Sequence, residues 1–325
     1  MHGPESPSGR IVPLDQIDPD DRYFAVTPSW QLDDPILEAA IRRVGILQPL
    51  LLQSVSDLRY RIVVGFKRCR AARRLGFKTL PALVVGDESD CELLMKAVCD
   101  NLGARTLSPI EAADAVARLK SFGLAVDALL DDVLPLLGFP SKRHQLERLL
   151  DLAGLPDSLK EAATDRLGLD LALSLAAWRP DERRVFIDAV DELQLGVNKQ
   201  KQVFELLDDI RTRDGRDVAE VWRSSAAESR AADRSVSPAQ RFAQVKQALR
   251  RLRFPALSEH ESRLDALKRE LALPPNIRLE LPPYFEGTRI QVVLTAGKVE
   301  ELRTAAERLG AAAKKREMEA IFDLL

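Results

Sequence analysis

The chain has 325 residues, of which 46% are hydrophobic and 30% charged, and its formal net charge is −2. That length predicts two or three domains, and the near-neutral balance means that any polyanion must be met by local patches, not by a global field. There is no run of about 18 apolar residues, which excludes a transmembrane helix, and Cys69, Cys91 and Cys99 form no CxxC pair, which reads as reduced thiols of a cytoplasmic protein.

The start, MHGPESPSGR, lacks a charged-then-apolar leader, so no secretory signal is expected. "RIVPLDQI" predicts a short strand, and "DPDDR" a turn-rich stretch. "DDPILEAAIRRVG" predicts a helix capped by Asp33 or Asp34, with Pro35 in its first turn and Gly45 at its end. Ile36, Ala39, Ala40 and Val44 recur on one face, which is expected to point inward. "LLLQSV" and "RYRIVVG" predict a strand pair, and "LPALVVG" another strand. "DCELLMKAVCDNLG" predicts a helix with Leu93, Leu94, Ala97 and Val98 inward. Residues 10–107 therefore read as a small α/β or α+β domain.

Residues 108–213 read as all-helical. Ser108, Pro109 and Glu111 give a capped start, and Pro135 should kink "VDALLDDVLPLLG" or shorten its last turn. "SKRHQLERLLDLAG" follows, then helices near 157–167, 170–178, 181–195 and 197–213. "RSSAAESRAADRSVS" reads as a mobile or loosely helical linker. The last unit, 236–325, predicts two helices near 238–252 and 258–272. A hairpin of "IRLEL" and "TRIQVVL" and a helical end follow.

The stretch "VVGFKRCRAARRLG" (63–76) carries the most chemistry. A strand-like run ends at Gly65, and Lys67, Arg68, Arg70, Arg73 and Arg74 follow. On a helical wheel Lys67, Arg70, Arg73 and Arg74 share one third of the circumference, opposite Ala71, Ala72 and Leu75. A strand, a glycine and a basic helix start make a phosphate cradle, because helix N-terminal N–H groups favour anions. A solvated amphipathic helix with snorkelling arginines explains the same residues.

Four segments in order, "GILQPLLL", "GFKRCRAARRLG", "LPALVV" and "DNLGARTLSPIEAA", resemble the N-terminal domain of the ParB partition-protein family. The resemblance continues through "LAVDALLDDVLPLLGFPSKRHQLERLLDLAGLPDSLKEAA", which is similar to the family's helix-turn-helix, and covers about residues 10–210. It implies a ParB/sulfiredoxin-like domain followed by an all-α helix-turn-helix domain; with the mixed C-terminal unit read from its own residues, the expected architecture is α+β. It also implies a DNA-binding, homodimeric partition or regulatory protein, with CTP and Mg²⁺ as ligands.

Carried over by position, Gly45, Gln48, Gly65, Lys67, Arg68 and Arg70 would bind the nucleotide, and Asp100 and Asn101 the metal. Lys142, Arg143, His144, Gln145 and Arg148 would face DNA from a helix starting at Ser141, with Arg73, Arg74 or Lys160 as basic help. Phe66 stands where the family has a glutamate. Gly103 and Ala104 replace its glutamine and arginine, and Arg105 comes one residue late. Sulfiredoxins share the fold, but their reactive cysteine aligns with Lys67, not Cys69. Two other classes stay open: a nucleotide-dependent enzyme on this fold, and an adaptor that binds neither nucleotide nor DNA.

Overall fold

The structure is a computed structural model that describes residues 8–18, 20–56, 58–228 and 235–325. The chain divides into two compact units, 1–179 and 180–325.

In the first unit, β1 (Ser8–Pro13), β2 (Leu50–Ser56), β3 (Arg59–Val64) and β4 (Thr79–Val85) form one sheet in the order β1-β4-β2-β3. β2 and β3 are an antiparallel pair, as expected of the two strand-like runs. β4 returns parallel to β2, which requires a crossover, and α2 (Phe66–Arg74) supplies it. Leu50, Leu52, Ile62, Leu80 and Ala82 point into one core with Val12, Leu14, Ile17, Cys69 and Ala72.

α1 (Pro35–Val44) starts where expected: the Asp34 side chain accepts from the Leu37 N–H at 3.0 Å, and Pro35 follows. Its orientation is the reverse of the expectation. Ile36 is 84% exposed and Val44 57%, while Ile41 is 4% exposed. Leu37, half-buried, and Ile41, buried, lie four residues apart and form the inner side, because burying two large branched side chains gains more than burying Ala39 and Ala40. Asp33 and Glu38 pair with Arg70 and Arg74 of α2, but these largely exposed pairs contribute little to that choice.

α3 (Asp90–Ala104) and α4 (Pro109–Ser121) both open with capping boxes, Ser89 with Glu92 and Ser108 with Glu111. Leu93, Leu94, Ala97 and Val98 are buried, as their spacing predicts. α5 (Val126–Ala128), a π turn (Leu129–Val133) and α6 (Leu134–Leu136) then run on as one interrupted helix. Pro135 explains the interruption, because its ring crowds the carbonyl four residues back and the wider π turn relieves that clash. α7 (Arg143–Ala153) begins two residues later than expected and packs on α4 through buried Leu146, Leu149 and Leu152. α8 (Asp157–Asp165) and α9 (Leu169–Leu175) complete the unit.

The second unit contains α10 (Pro180–Leu193), α11 (Val197–Asp214), α12 (Val218–Glu228), α13 (Pro238–Arg253) and α14 (Pro255–Leu271). α11 and α12 both pack on α13, so the stretch 180–213 groups with the C-terminal residues. The expected linker is helical up to Glu228, and its residues 229–234 lie outside the described residues. β5 (Ile277–Glu280) and β6 (Gln291–Leu294) form the expected antiparallel hairpin. α15 (Val299–Ala312) and α16 (Arg316–Phe322) follow, and Leu264, Leu271, Leu279, Met318 and Ile321 share a core.

Candidate nucleotide cavity and helix-turn-helix

Gly65 ends β3 and precedes the first residue of α2, at φ +104° and ψ 27°. This left-handed conformation suits glycine, and a Cβ there would lie 2.8 Å from Leu50 Cγ. The turn opens a cavity of about 290 Å³ between the β3–α2 junction, the 24–37 segment and the end of α3. Its apolar lining comes from Phe24, Val26, Leu32, Leu37, Val63 and Val64. Its polar lining comes from Thr27, Gln48, Lys67, Arg68, Asp100, Asn101 and Arg105.

Of the residues expected to bind nucleotide or metal, Gln48, Gly65, Lys67, Arg68, Asp100 and Asn101 border this one cavity, and Gly45 and Arg70 do not. Gly45 closes α1 at φ +75°. Arg70 turns away because Asp33 holds it, with Nε 2.8 Å from Oδ1.

Arg68 spans the mouth of the sheet. Its Nη1 donates to the carbonyls of Gln48 at 2.7 Å and Pro49 at 3.0 Å. Burial lowers its pKa from the ordinary arginine value, and the Asp100 carboxylate pulls the other way. Lys67 Nζ lies 3.5 Å from Asp34 Oδ2. Phe66 borders the cavity and carries the Arg22 guanidinium 5.0 Å from its ring centre, a cation–π contact.

The metal ligands expected are Asp100 and Asn101. Asp100 is exposed; Asn101 Nδ2 donates to the Ala97 carbonyl at 2.8 Å, and its Oδ1 accepts from Arg105 at 3.5 Å. Among the described residues no cluster of three or more His, Cys, Asp or Glu could hold a metal. Asp100 and Asn101 alone would not cage a Mg²⁺ ion, which would need waters or a phosphate to complete its oxygen ligands.

Arg105 was not among the expected site residues, yet it borders the cavity. Nη1 and Nη2 donate to the two Glu111 oxygens at 2.8 and 2.5 Å, and Nη2 to Thr27 Oγ1 at 3.0 Å. Burial pushes the Glu111 carboxyl up, but Arg105 and the Ser108 backbone and hydroxyl outweigh it, and the carboxyl sits below its usual range. The capping-box glutamate was legible in the sequence; its second role as a partner of Arg105 was not. Cys69 is 2% exposed, and burial raises its thiol pKa against the opposing pull of Arg73, as suits an inert core thiol.

At the start of α7, the N-cap Lys142, Arg143 and His144 are exposed and Gln145 is half-buried. Arg148 is committed elsewhere, to Asp170 of α9 at 2.8 Å. The three cations expected to help are also committed. Arg73 donates to the carbonyls of Leu14, at 2.9 Å, and Ile17. Arg74 pairs with Asp33 and Glu38, and Lys160, 8% exposed, donates to Asp114 at 2.6 Å. The basic stripe seen on the wheel is thus largely neutralised from other elements.

The fold and cavity define a class: a small mixed sheet with a cation-lined cavity at a strand–glycine–helix turn, followed by a helix-turn-helix bundle. The model of the ParB N-terminal domain matches residues 10–102. A probable chromosome-partitioning protein ParB of Pseudomonas putida is 32% identical over 137 residues, 41% of this chain and 45% of that protein. The chromosome-partitioning protein Spo0J of Thermus thermophilus is 30% identical over 210 residues, 63% of this chain and 73% of that protein. A C-terminally truncated ParB of Caulobacter crescentus, solved with CTP-γ-S, is 25% identical, with 55% of this chain and 96% of that one covered at a TM-score of 0.25. The chain belongs to the ParB partition-protein family. It spans 45% of the length of the Pseudomonas relative.

Proposed function

We propose that this chain is a cytoplasmic DNA-binding partition or regulatory protein whose cavity takes CTP with Mg²⁺. The observation that carries the reading is convergence. Gln48, Gly65, Lys67, Arg68, Asp100 and Asn101 come from three separated segments and border one cavity. Its size is at the small end of ligand pockets, which run from about 300 Å³. In this reading Lys67 and Arg68 hold phosphate at the start of α2, where the helix N–H groups add to the attraction. Mg²⁺ would neutralise phosphate charge beside Asp100 and Asn101. Lys142, Arg143 and His144 face DNA from the start of α7.

The partner is a second copy of the chain, joined through residues 236–325. Support comes from the exposed apolar side chains of that region: Val292 is 43% exposed, Leu302 49% and Phe322 52%. Among the described residues no helix is long and apolar enough to cross a membrane.

Isothermal titration of CTP, ATP and GTP in Mg²⁺, on wild type and Arg68→Ala, tests the cavity. CTP binding that Arg68→Ala abolishes supports the reading; binding of none of them refutes it. An adaptor that binds neither ligand is the second reading, and the neutralisation of Arg70, Arg74 and Arg148 by acids favours it. Failure of both nucleotide and DNA titrations would select it.

A further inference from the structure

Three cations border the cavity, and the protein engages each of them differently. Arg68 is held by two neutral carbonyls, so its charge stays available to an anion. Lys67 meets Asp34 at 3.5 Å, with both side chains about a third exposed, a loose pair that water and salt weaken. Arg105 differs from both. A carboxylate that is 1% exposed takes both of its terminal nitrogens, at 2.5 and 2.8 Å. A guanidinium presents one planar fork to a two-oxygen acceptor, and phosphate and carboxylate compete for that fork.

We infer that Glu111 is an internal competitor for the anionic ligand of the cavity: the Arg105 fork grips either Glu111 or a ligand phosphate, and Glu111 thereby sets the affinity of the site. The inference rests on the reading of the cavity as a nucleotide site. Local geometry supports the exchange. Arg105 leaves α3 in an extended conformation, and its guanidinium also touches Thr27 Oγ1 and Asn101 Oδ1, both of which border the cavity. The fork therefore lies at the edge of the cavity, between Glu111 of α4 and the space a ligand would fill. Glu111 keeps a partner when Arg105 leaves, since the Ser108 N–H donates to Oε2 at 2.9 Å. The buried carboxylate is then not stripped of all its hydrogen bonds, which lowers the cost of the exchange.

The test is titration of CTP, and separately of inorganic tripolyphosphate, in Mg²⁺ into the full chain as wild type, Glu111→Gln, Arg105→Ala and the double variant. Glutamine keeps the shape and the acceptor for Ser108 but removes the competing charge. Glu111→Gln is expected to bind roughly tenfold tighter, the scale of a lost charge-assisted hydrogen bond. Arg105→Ala is expected to bind more weakly than wild type, and the double variant no more tightly than Arg105→Ala. If Glu111→Gln fails to fold, Glu111→Asp shortens the reach and is expected to give a smaller gain. Wild-type binding without a gain in either variant overturns this inference alone, and so does a gain that persists without Arg105. Absence of binding in every variant overturns the nucleotide reading with it.

Discussion

Lys160 of α8 donates to Asp114 of α4 at 2.6 Å, across 46 residues of chain, and the lysine is 8% exposed. The sequence offered Lys160 as a helper for DNA; the fold uses it to fasten two helices. Asp114→Ala would leave a buried ammonium without its acceptor and is expected to cost about 2 kcal/mol. Urea unfolding measures it. A double-mutant cycle with Lys160→Met should give a coupling energy clearly above zero, and DNA affinity should not change.

Gly65 sits where only glycine is unstrained. Gly65→Ala places a Cβ 2.8 Å from Leu50 Cγ, in a conformation with φ +104°. The expected loss is about 1–3 kcal/mol of stability, with nucleotide binding weakened because the same turn shapes the cavity. Thermal unfolding and titration of one preparation check both.

Glu111 gives the stability a definite pH dependence. Its carboxyl is lowered in the folded chain relative to the unfolded one. The stabilisation is therefore fully present above the unfolded value, about 4.3, and is lost as pH falls through the folded value. Melting temperatures of wild type and Glu111→Gln, measured from neutral pH down to about pH 3, should converge below that point. Curves that stay parallel would contradict the assigned pairing.

The orientation of α1 can be checked by two substitutions on one helix. Ile36→Ser, at an 84% exposed position, should leave stability nearly unchanged. Ile41→Ala, at a 4% exposed position, should cost about 2–4 kcal/mol.

At the start of α7, Lys142→Ala and Arg143→Ala should each reduce DNA affinity and flatten its salt dependence by about one unit of slope. Arg148→Ala breaks the exposed pair with Asp170, so it should leave that slope unchanged and cost at most about 1 kcal/mol of stability. Fluorescence anisotropy across a salt series separates the two kinds of residue.

The amphipathic pattern of α1 is legible in the sequence, but the Ile36–Ala39–Ala40–Val44 side is not the inner one. A hydrophobic stripe on a short helix does not say which side meets the core when both sides carry apolar residues. Packing within the domain settled it, with Ile41 buried and Leu37 half-buried. The Asp33–Arg70 pair accounts for Arg70 leaving the cavity. Arg105 was legible only as a basic residue out of step with a motif, because its partners Thr27 and Glu111 lie 78 residues behind and 6 ahead.

Features that depend on neighbours along the chain are legible in the amino-acid order. They include the capping box at Ser108, the buried face of α3, the turn at Gly65, and the strand pair β2 and β3. Helix starts and strand periodicity are written within a few residues of each other. Tertiary structure alone decided which cations stay available to a ligand and which are taken. Lys67, Arg70, Arg73, Arg74, Arg105, Arg148 and Lys160 look alike as letters. Their charge is neutralised by acids, or their donors are occupied by carbonyls, that only folding brings within a hydrogen bond's reach.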